Sequence, residues 1–397
     1  MPPAVLDKEA RLYCIECGSS YRPQPTIYRC PRCRGLLDVR VKPEGPIVFS
    51  GRGVWRYSSL LPAPSKAESV VTLLEGQTPL LRLRSMAPRV SGYLKLEGSN
   101  PTGSFKDRGM AVAVSLGKAW GFRAAVAAST GNTAASAAAY TARASMKCIV
   151  VLPRGRVARG KLFQAVLHGA VVAEVEGGFD EAMRIAEDSV ERAGFYPLNS
   201  FNPWRLEGQK TAAFEVFEQL GREPDVVVVP VGNGGNIYAI WKGFRELRDL
   251  GLIDRVPRMI GVQASGASPL ARAWREGVEP VVDNPSTIAT AIRIGRPVNS
   301  RKALIAVSSS KGAIVSVDDS LILEAQKMLA RREGVGVEPA SAAPIAAYEQ
   351  LVGEGLVDRG EEVVFIATGH ALKDPGVPVE PRRVRVKSAG DLERLLE

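Results

Sequence analysis

Histidine is almost missing from this chain: His168 and His370 are the two in 397 residues. A Ser-His-Asp triad, a His-rich catalytic metal centre or a two-histidine mechanism would have to be built from those two alone. The scarcity points instead to chemistry supplied by a cofactor. Cysteine is nearly as rare, with five residues, four of them in the first 33 positions. No apolar run approaches the roughly 20 residues needed to span a bilayer. The opening MPPAVLDKEARLYC is polar and lacks an h-region, so no signal peptide is read and the expected compartment is the cytoplasm. The rest is ordinary for a globular protein, 45% hydrophobic and 24% charged, and the length suits two or three domains.

The net charge is +10. Between Arg11 and Lys42 stand seven basic residues against Glu16 and Asp38, so this segment alone carries 7 − 2 = +5. It also holds Cys14-x-x-Cys17 and Cys30-x-x-Cys33, separated by twelve residues and flanked by Gly18, Pro31 and Gly35. Each pair can form a knuckle presenting two thiolates, and two knuckles complete a tetrahedral sulfur site. The segment 1–45 thus reads as a small four-cysteine zinc ribbon with a structural metal. A pair of disulfides and a ribbon without metal are the alternatives. A basic ribbon also raises the reading of a nucleic-acid binder, although its only aromatics are Tyr13, Tyr21 and Tyr28. Partners on nucleic acid or membrane are not expected.

Residues 41–75 are rich in proline and glycine and read as a surface linker, bounded as 46–75 after the ribbon. From 76 to 397 the pattern becomes strands alternating with helices. Strands are expected at 93–96, 124–128, 147–152, 171–175, 225–231, 259–263, 313–317 and 363–367. Helices are expected at 110–121, 132–144, 159–167, 179–192, 211–220 and 237–250. Such alternation predicts an α/β fold, with parallel sheets covered on both faces. Cys148 opens a buried strand and reads as core packing.

Four loops carry the chemistry. Residues 100–109, Asn-Pro-Thr-Gly-Ser-Phe-Lys-Asp-Arg-Gly, frame Lys106 with a turn, two hydroxyls and Phe105. A surface lysine needs no frame, whereas one holding an aldehyde cofactor must be neutral and aimed; an exposed loop is the bland alternative. Ser129-Thr130-Gly131-Asn132-Thr133 links a strand to a helix, where free N–H groups suit a carboxylate. Gly232-Asn233-Gly234-Gly235-Asn236 does the same after DVVVVPV and suits a phosphate. Asn199, Ser200 and Arg205 precede another helix and offer a second anion grip. Thr368 ends a buried strand, at the edge where α/β sheets bind ligands.

Taken together, the runs at 100–109, 129–136, 202–211 (Asn-Pro-x-Arg-Leu-Glu-Gly-Gln-Lys-Thr), 291–295 (Ala-Ile-Arg-Ile-Gly) and 368–375 (Thr-Gly-His-x-Leu-Lys-Asp-Pro) resemble the type II fold of pyridoxal-phosphate enzymes. Within it the chain is similar to the threonine synthase family over about 76–376. The resemblance implies two open, twisted, mostly parallel sheets, with a small substrate domain at about 98–200 inserted in a larger one. Lys106 would form the Schiff base, with Phe105 and Val231 beside the cofactor. Asn132 would bond its 3′ oxygen, Gly232, Asn233, Gly234, Gly235 and Asn236 would cradle its phosphate, and Thr368 would meet its pyridine nitrogen, leaving that nitrogen largely unprotonated. Ser129, Thr130 and Thr133 would bind the substrate carboxylate, and Asn199, Ser200 and Arg205 its phosphate. Gly234 departs from the family, where alanine is common, and is expected to loosen the cradle. The implied reaction is a lyase step from O-phospho-L-homoserine and water to L-threonine and phosphate, in a homodimer. β-Replacement on O-phospho-L-serine is the alternative, and deamination of threonine or serine a more distant one.

Overall fold

The computed structural model describes residues 5–154 and 159–374. Strands β1 (Ala10–Cys14), β2 (Ser20–Tyr21) and β3 (Leu37–Val41) form a small antiparallel sheet in the order β2-β1-β3, in which Cys14 pairs with Leu37. After it, β4 (Leu80–Arg82) and β5 (Ser91–Leu96) belong to the large sheet, whereas β6 (Ala124–Ala128), β7 (Lys147–Pro153), β8 (Val171–Val175) and β9 (Tyr196–Pro197) form a four-stranded sheet, β8-β7-β6-β9, parallel throughout. The chain then returns through β10 (Val226–Pro230), β11 (Arg258–Ala264), β12 (Ala313–Val317) and β13 (Glu362–Ala367). These complete the large sheet, β12-β11-β10-β13-β5-β4, parallel except for β4 at its edge. The continuous valines of β10 are buried at every position, as a strand covered by helices on both faces requires.

Among the described residues, twelve helices cover the sheets. They are α1 (Lys106–Ala119), α2 (Asn132–Arg143), α3 (Arg159–Leu167), α4 (Phe179–Ala193), α5 (Trp204–Gln209), α6 (Thr211–Leu220), α7 (Gly235–Asp249), α8 (Pro269–Glu276), α9 (Ser300–Ser309), α10 (Asp319–Met328), α11 (Pro339–Ala346) and α12 (Tyr348–Gly353). None of them is long and apolar enough to cross a membrane.

Two expectations change. Helix α1 begins at Lys106, not at 110, because Asp107 and Arg108 are buried polar residues whose partners lie inside the protein. Residues 46–75 do not run across the surface. Val54, Tyr57, Leu60 and Leu61 are buried, Tyr57 packs against Phe49 and Phe214, and Trp55 donates to the Val71 carbonyl at 3.2 Å. Proline and glycine deny this stretch regular strands, but its apolar side chains still enter the core. Pro375, the last residue of the 368–375 run, and the tail to 397 lie outside the described residues.

Candidate active site

Lys106 stands at the first position of α1, and a buried ion cluster beneath it fixes that helix end. Arg108 bonds Glu97 through Nε and Nη2 at 2.6 and 2.7 Å and Glu215 through Nη1 and Nη2 at 2.6 Å each. Two bidentate carboxylates neutralise and orient one guanidinium, the geometry in which a buried charge is tolerated. Asp107 accepts from Thr102 N and Oγ1 at 2.6 Å each and from Ser136 Oγ at 2.5 Å, tying the loop before Lys106 to α2. Phe105 N donates to the Thr368 carbonyl at 3.0 Å, which joins the same loop to the C-terminal end of β13.

Lys106 Nζ lies 4.2 Å from the Phe105 ring centroid. Loss of water around the ammonium, reinforced by Arg205 and opposed by Glu338, pushes its pKa down to about 7. Arg205 comes near because α1 and α5 cross closely. A Cβ on Gly208 would lie 1.9 Å from the Arg108 carbonyl oxygen, and only glycine permits that approach.

The other three loops are joined to one another by their own bonds. Asn199 Oδ1 accepts from Ala128 N and its Nδ2 donates to Ala128 O, both at 2.9 Å, so the 199–205 loop is fastened to the strand end from which Ser129 follows. Asn199 therefore anchors the loop while keeping one amide hydrogen free. Ser129 Oγ accepts from Gly131 N at 3.2 Å, and Gly131 caps α2 without any side-chain bond, leaving the N–H groups near Thr130 and Thr133 open to an anion. Beyond β10 and Val231, Gly234 caps α7 at φ 81°, and a Cβ there would lie 2.8 Å from the Asn299 carbonyl oxygen. The glycine thus tightens this turn against α9 rather than loosening the cradle. Asn299 N donates to Asn233 O at 2.9 Å, and Asn299 Nδ2 donates to Ser200 O at 3.0 Å, so one residue holds both phosphate-type loops.

Two residues of the site escaped the sequence reading. Glu338 precedes α11 and is buried; its carboxylate accepts from Asn132 Nδ2 at 3.0 and 3.2 Å, and burial raises its pKa. Ser341 Oγ lies 3.1 Å from Thr368 Oγ1 and accepts from Gly369 N at 2.8 Å. The run Glu338-Pro-Ala-Ser341 was the signal: two polar side chains in an otherwise apolar, proline-containing helix start.

Pyridoxal phosphate fits these residues. Ser104 Oγ, Arg205 Nε, Asn236 Nδ2 and Asn299 Oδ1 are buried without a hydrogen-bond partner. Such atoms are costly unless a ligand completes them. Arg205 is a buried cation whose pKa burial pushes down to about 10, and among the described residues no carboxylate pairs with it.

At the far end of the chain the sulfurs of Cys14, Cys17, Cys30 and Cys33 all lie within 4.8 Å of one another, with Cys14–Cys33 at 3.4 Å and Cys17–Cys30 at 3.6 Å. Tetrahedral zinc–thiolate bonds place sulfurs about 3.8 Å apart. The neighbouring arginines turn to the protein: Arg29 pairs with Glu187 and Arg34 with Glu191, both at 3.1 Å.

A parallel α/β fold in which a buried lysine opens a helix, with a glycine-rich turn between β10 and α7, is that of the type II class of pyridoxal-phosphate enzymes. The family described as pyridoxal-phosphate dependent enzyme matches residues 71–369. Among solved structures, maize serine racemase superposes with a TM-score of 0.65 at 21% identity, covering 81% of this chain and 92% of that one. The processed form of threonine deaminase isoform 2 from Solanum lycopersicum gives 0.64 at 23%, covering 83% and 94%. In sequence the chain is 48% identical to a threonine synthase of Methanocaldococcus jannaschii, covering 96% of this chain and 97% of that protein. It is 50% identical to one of Mycobacterium tuberculosis, covering 78% and 89%. The chain belongs to the threonine synthase family of pyridoxal-phosphate-dependent enzymes.

Proposed function

We propose that this protein converts O-phospho-L-homoserine and water to L-threonine and inorganic phosphate, as a cytoplasmic homodimer with a structural zinc ion on Cys14, Cys17, Cys30 and Cys33. The observation that carries the substrate class is Arg205. A buried guanidinium with no carboxylate paired to it among the described residues, close enough to Lys106 to depress its pKa, calls for a dianionic group on the reacting molecule. The near full-length likeness to threonine synthases supports the same reading. Homodimer and compartment rest on the family likeness and the composition.

Lys106 would hold the cofactor, and Gly232 to Asn236 at the start of α7 would take its phosphate, with Val231 leading into that turn and Phe105 beside the lysine. Thr368, placed by Ser341, would face the ring nitrogen. When bound, pyridoxal phosphate supplies an electron sink for the substrate's α and β carbons. Lys106 Nζ, whose pKa burial lowers, would take a proton from the α carbon and return one later. Ser129, Thr130 and Thr133 at the α2 terminus would fix the substrate carboxylate, and Asn199, Ser200 and Arg205 its phosphate. Asn132, bonded to Glu338, would meet the cofactor's 3′ oxygen. Across the reaction the Cγ–O bond to phosphate and one Cβ–H bond break, Cγ gains a proton, and the hydroxyl of water ends on Cβ, with phosphate as the leaving group.

The test is product analysis on purified holoenzyme given O-phosphohomoserine, O-phosphoserine, threonine and serine separately. Phosphate and threonine in equal amounts from the first substrate support the proposal. Turnover confined to O-phosphoserine would transfer the assignment to β-replacement, and ammonia with a keto acid as main products would mean a deaminase.

A further inference from the structure

We infer that the N-terminal ribbon is a positioning element for the substrate-phosphate grip, acting through Leu37, Asp38 and Arg29; the inference rests on the reading of Arg205 as that grip. The cysteine turns set the start of β3. Ile15 N donates to Leu36 O at 3.1 Å, Cys30 N donates to Gly35 O at 2.9 Å, and Cys14 is the ladder partner of Leu37. From β3 two buried tethers leave the ribbon.

The Leu37 carbonyl accepts from Lys302 Nζ at 2.6 Å. Lys302 lies in the first turn of α9, and the residue capping that helix is Asn299, which holds the Ser200 carbonyl and the Asn233 carbonyl. Asp38 accepts from Lys242 Nζ at 3.0 Å and from Tyr238 Oη at 2.9 Å. Lys242 also bonds Glu207 at 2.5 Å, and Glu207 sits on α5 two residues after Arg205. A third contact is aromatic. The Tyr28 ring meets Phe201 edge-on at 6.5 Å, and the Arg29 guanidinium lies 5.5 Å from the Phe201 centroid. All three routes reach residues 199–207, and the route through Asn299 also reaches Asn233.

Asp38, Glu207, Lys242, Lys302 and Asn299 are buried, so these charged bonds are shielded from water and hold their partners in narrow geometry. Each of the three routes reaches the loop and helix start that carry Ser200 and Arg205, and the one through Asn299 reaches Asn233 as well, so a ribbon serving only as a cover does not account for them. Rigid placement of Ser200 and Arg205 matters because a bidentate grip loses strength with small displacements.

The experiment uses full-length holoenzyme and three variants: Asp38→Asn, Arg29→Ala and Arg205→Met. Inorganic phosphate is the calorimetric probe, alongside KM and kcat for the phosphorylated amino acid, cofactor absorbance and thermal midpoint. Asp38→Asn and Arg29→Ala should each weaken phosphate binding and raise KM about fivefold, with kcat within about twofold and cofactor absorbance kept. Arg29 is half-buried on the ribbon face, so its variant decides the matter if Asp38→Asn does not fold. Phosphate binding lost in Arg205→Met but unchanged in the ribbon variants overturns the inference alone. Cofactor, kcat and phosphate binding lost together in the ribbon variants, in step with the thermal midpoint, also overturns it, since that is the mark of a purely structural role. Unchanged phosphate binding in Arg205→Met overturns the reading of Arg205, and the ribbon inference with it.

Discussion

The side-chain amide of Asn132 donates to both oxygens of Glu338, 206 residues further along the chain, at 3.2 and 3.0 Å. Asn132 heads the first turn of α2 over the four-stranded sheet, and Glu338 caps α11 over the six-stranded one, so this contact bridges the two halves of the site. Glu338 also raises the pKa of Lys106, against the burial that lowers it.

Glu338→Gln removes that charge and leaves Asn132 Nδ2 one acceptor oxygen in place of two. Asn132 should lose its fixed orientation, and kcat should fall about a hundredfold, the scale of a misplaced positioning group. The Lys106 pKa should drop further, because the only carboxylate raising it is gone. A pH titration of the variant that leaves the lysine midpoint where it was would contradict this role for Glu338.

Lys106 itself sets a second expectation. With its pKa near 7 rather than at the ordinary value of 10.5, the free amine forms across the neutral range. The rate at which apoenzyme captures pyridoxal phosphate should therefore rise with pH through about 7 and level off above it. Arg205→Met should move that midpoint upward, since the guanidinium adds to the burial that holds it down. Lys106→Ala should abolish cofactor retention after borohydride reduction; retention in the variant would sink the assignment of Lys106.

Much of this site could be read from residue order. The loops at 100–109, 129–133 and 232–236 each join a strand to a helix, and small polar residues packed so densely exceed what capping requires. The strand at 124–128 and the helices at 159–167 and 211–220 have the expected limits, because alanine, valine and glycine mark their ends. Glu338 and Ser341 were hidden despite their polar spacing, since the amide that meets the carboxylate, Asn132, lies 206 residues away in the chain. Helix α11 was hidden for a related reason: with Pro339, Pro344 and burial at nearly every position, it has no amphipathic period to detect. Asp107 and Arg108 concealed the start of α1 in the same way, as buried charges read like a loop until Thr102, Glu97 and Glu215 are in place.

Metal analysis of the purified chain should give one zinc per polypeptide, with Cys14 and Cys30, the two buried sulfurs, as essential ligands. Cys14→Ser and Cys30→Ser should each release the metal and lower the thermal midpoint, because β1 and β3 lose the link that holds their turns. The effect should exceed that of Cys148→Ser, which removes a core thiol remote from the cluster in sequence and absent from it in space. Full zinc content in both ligand variants would remove the case for this site.

Glu75 is the cleanest pH probe in the fold. It is fully buried, and its carboxylate accepts from Tyr140 Oη at 2.7 Å, Leu73 N at 2.9 Å and Thr72 Oγ1 at 3.2 Å, all neutral donors. Burial outweighs these bonds and raises its pKa to about 7. The unfolded chain releases the same proton near 4.5, the ordinary value for the group. Between those two pH values the native state binds more protons than the unfolded state, so this residue makes stability fall as pH rises. The penalty is complete above about pH 7 and amounts to at most about 3 kcal/mol. Glu75→Gln removes the titration while retaining an acceptor for Tyr140. Any fixed cost of the amide applies at every pH, so the informative quantity is the change in the variant-minus-wild-type difference. Measured by urea unfolding, that difference should shift in favour of the variant by about 2 kcal/mol between about pH 5 and about pH 8. A difference that stays constant across this range would mean that Glu75 is already ionised at the lower pH, and that Tyr140 and the Leu73 amide stabilise the charge more than burial opposes it.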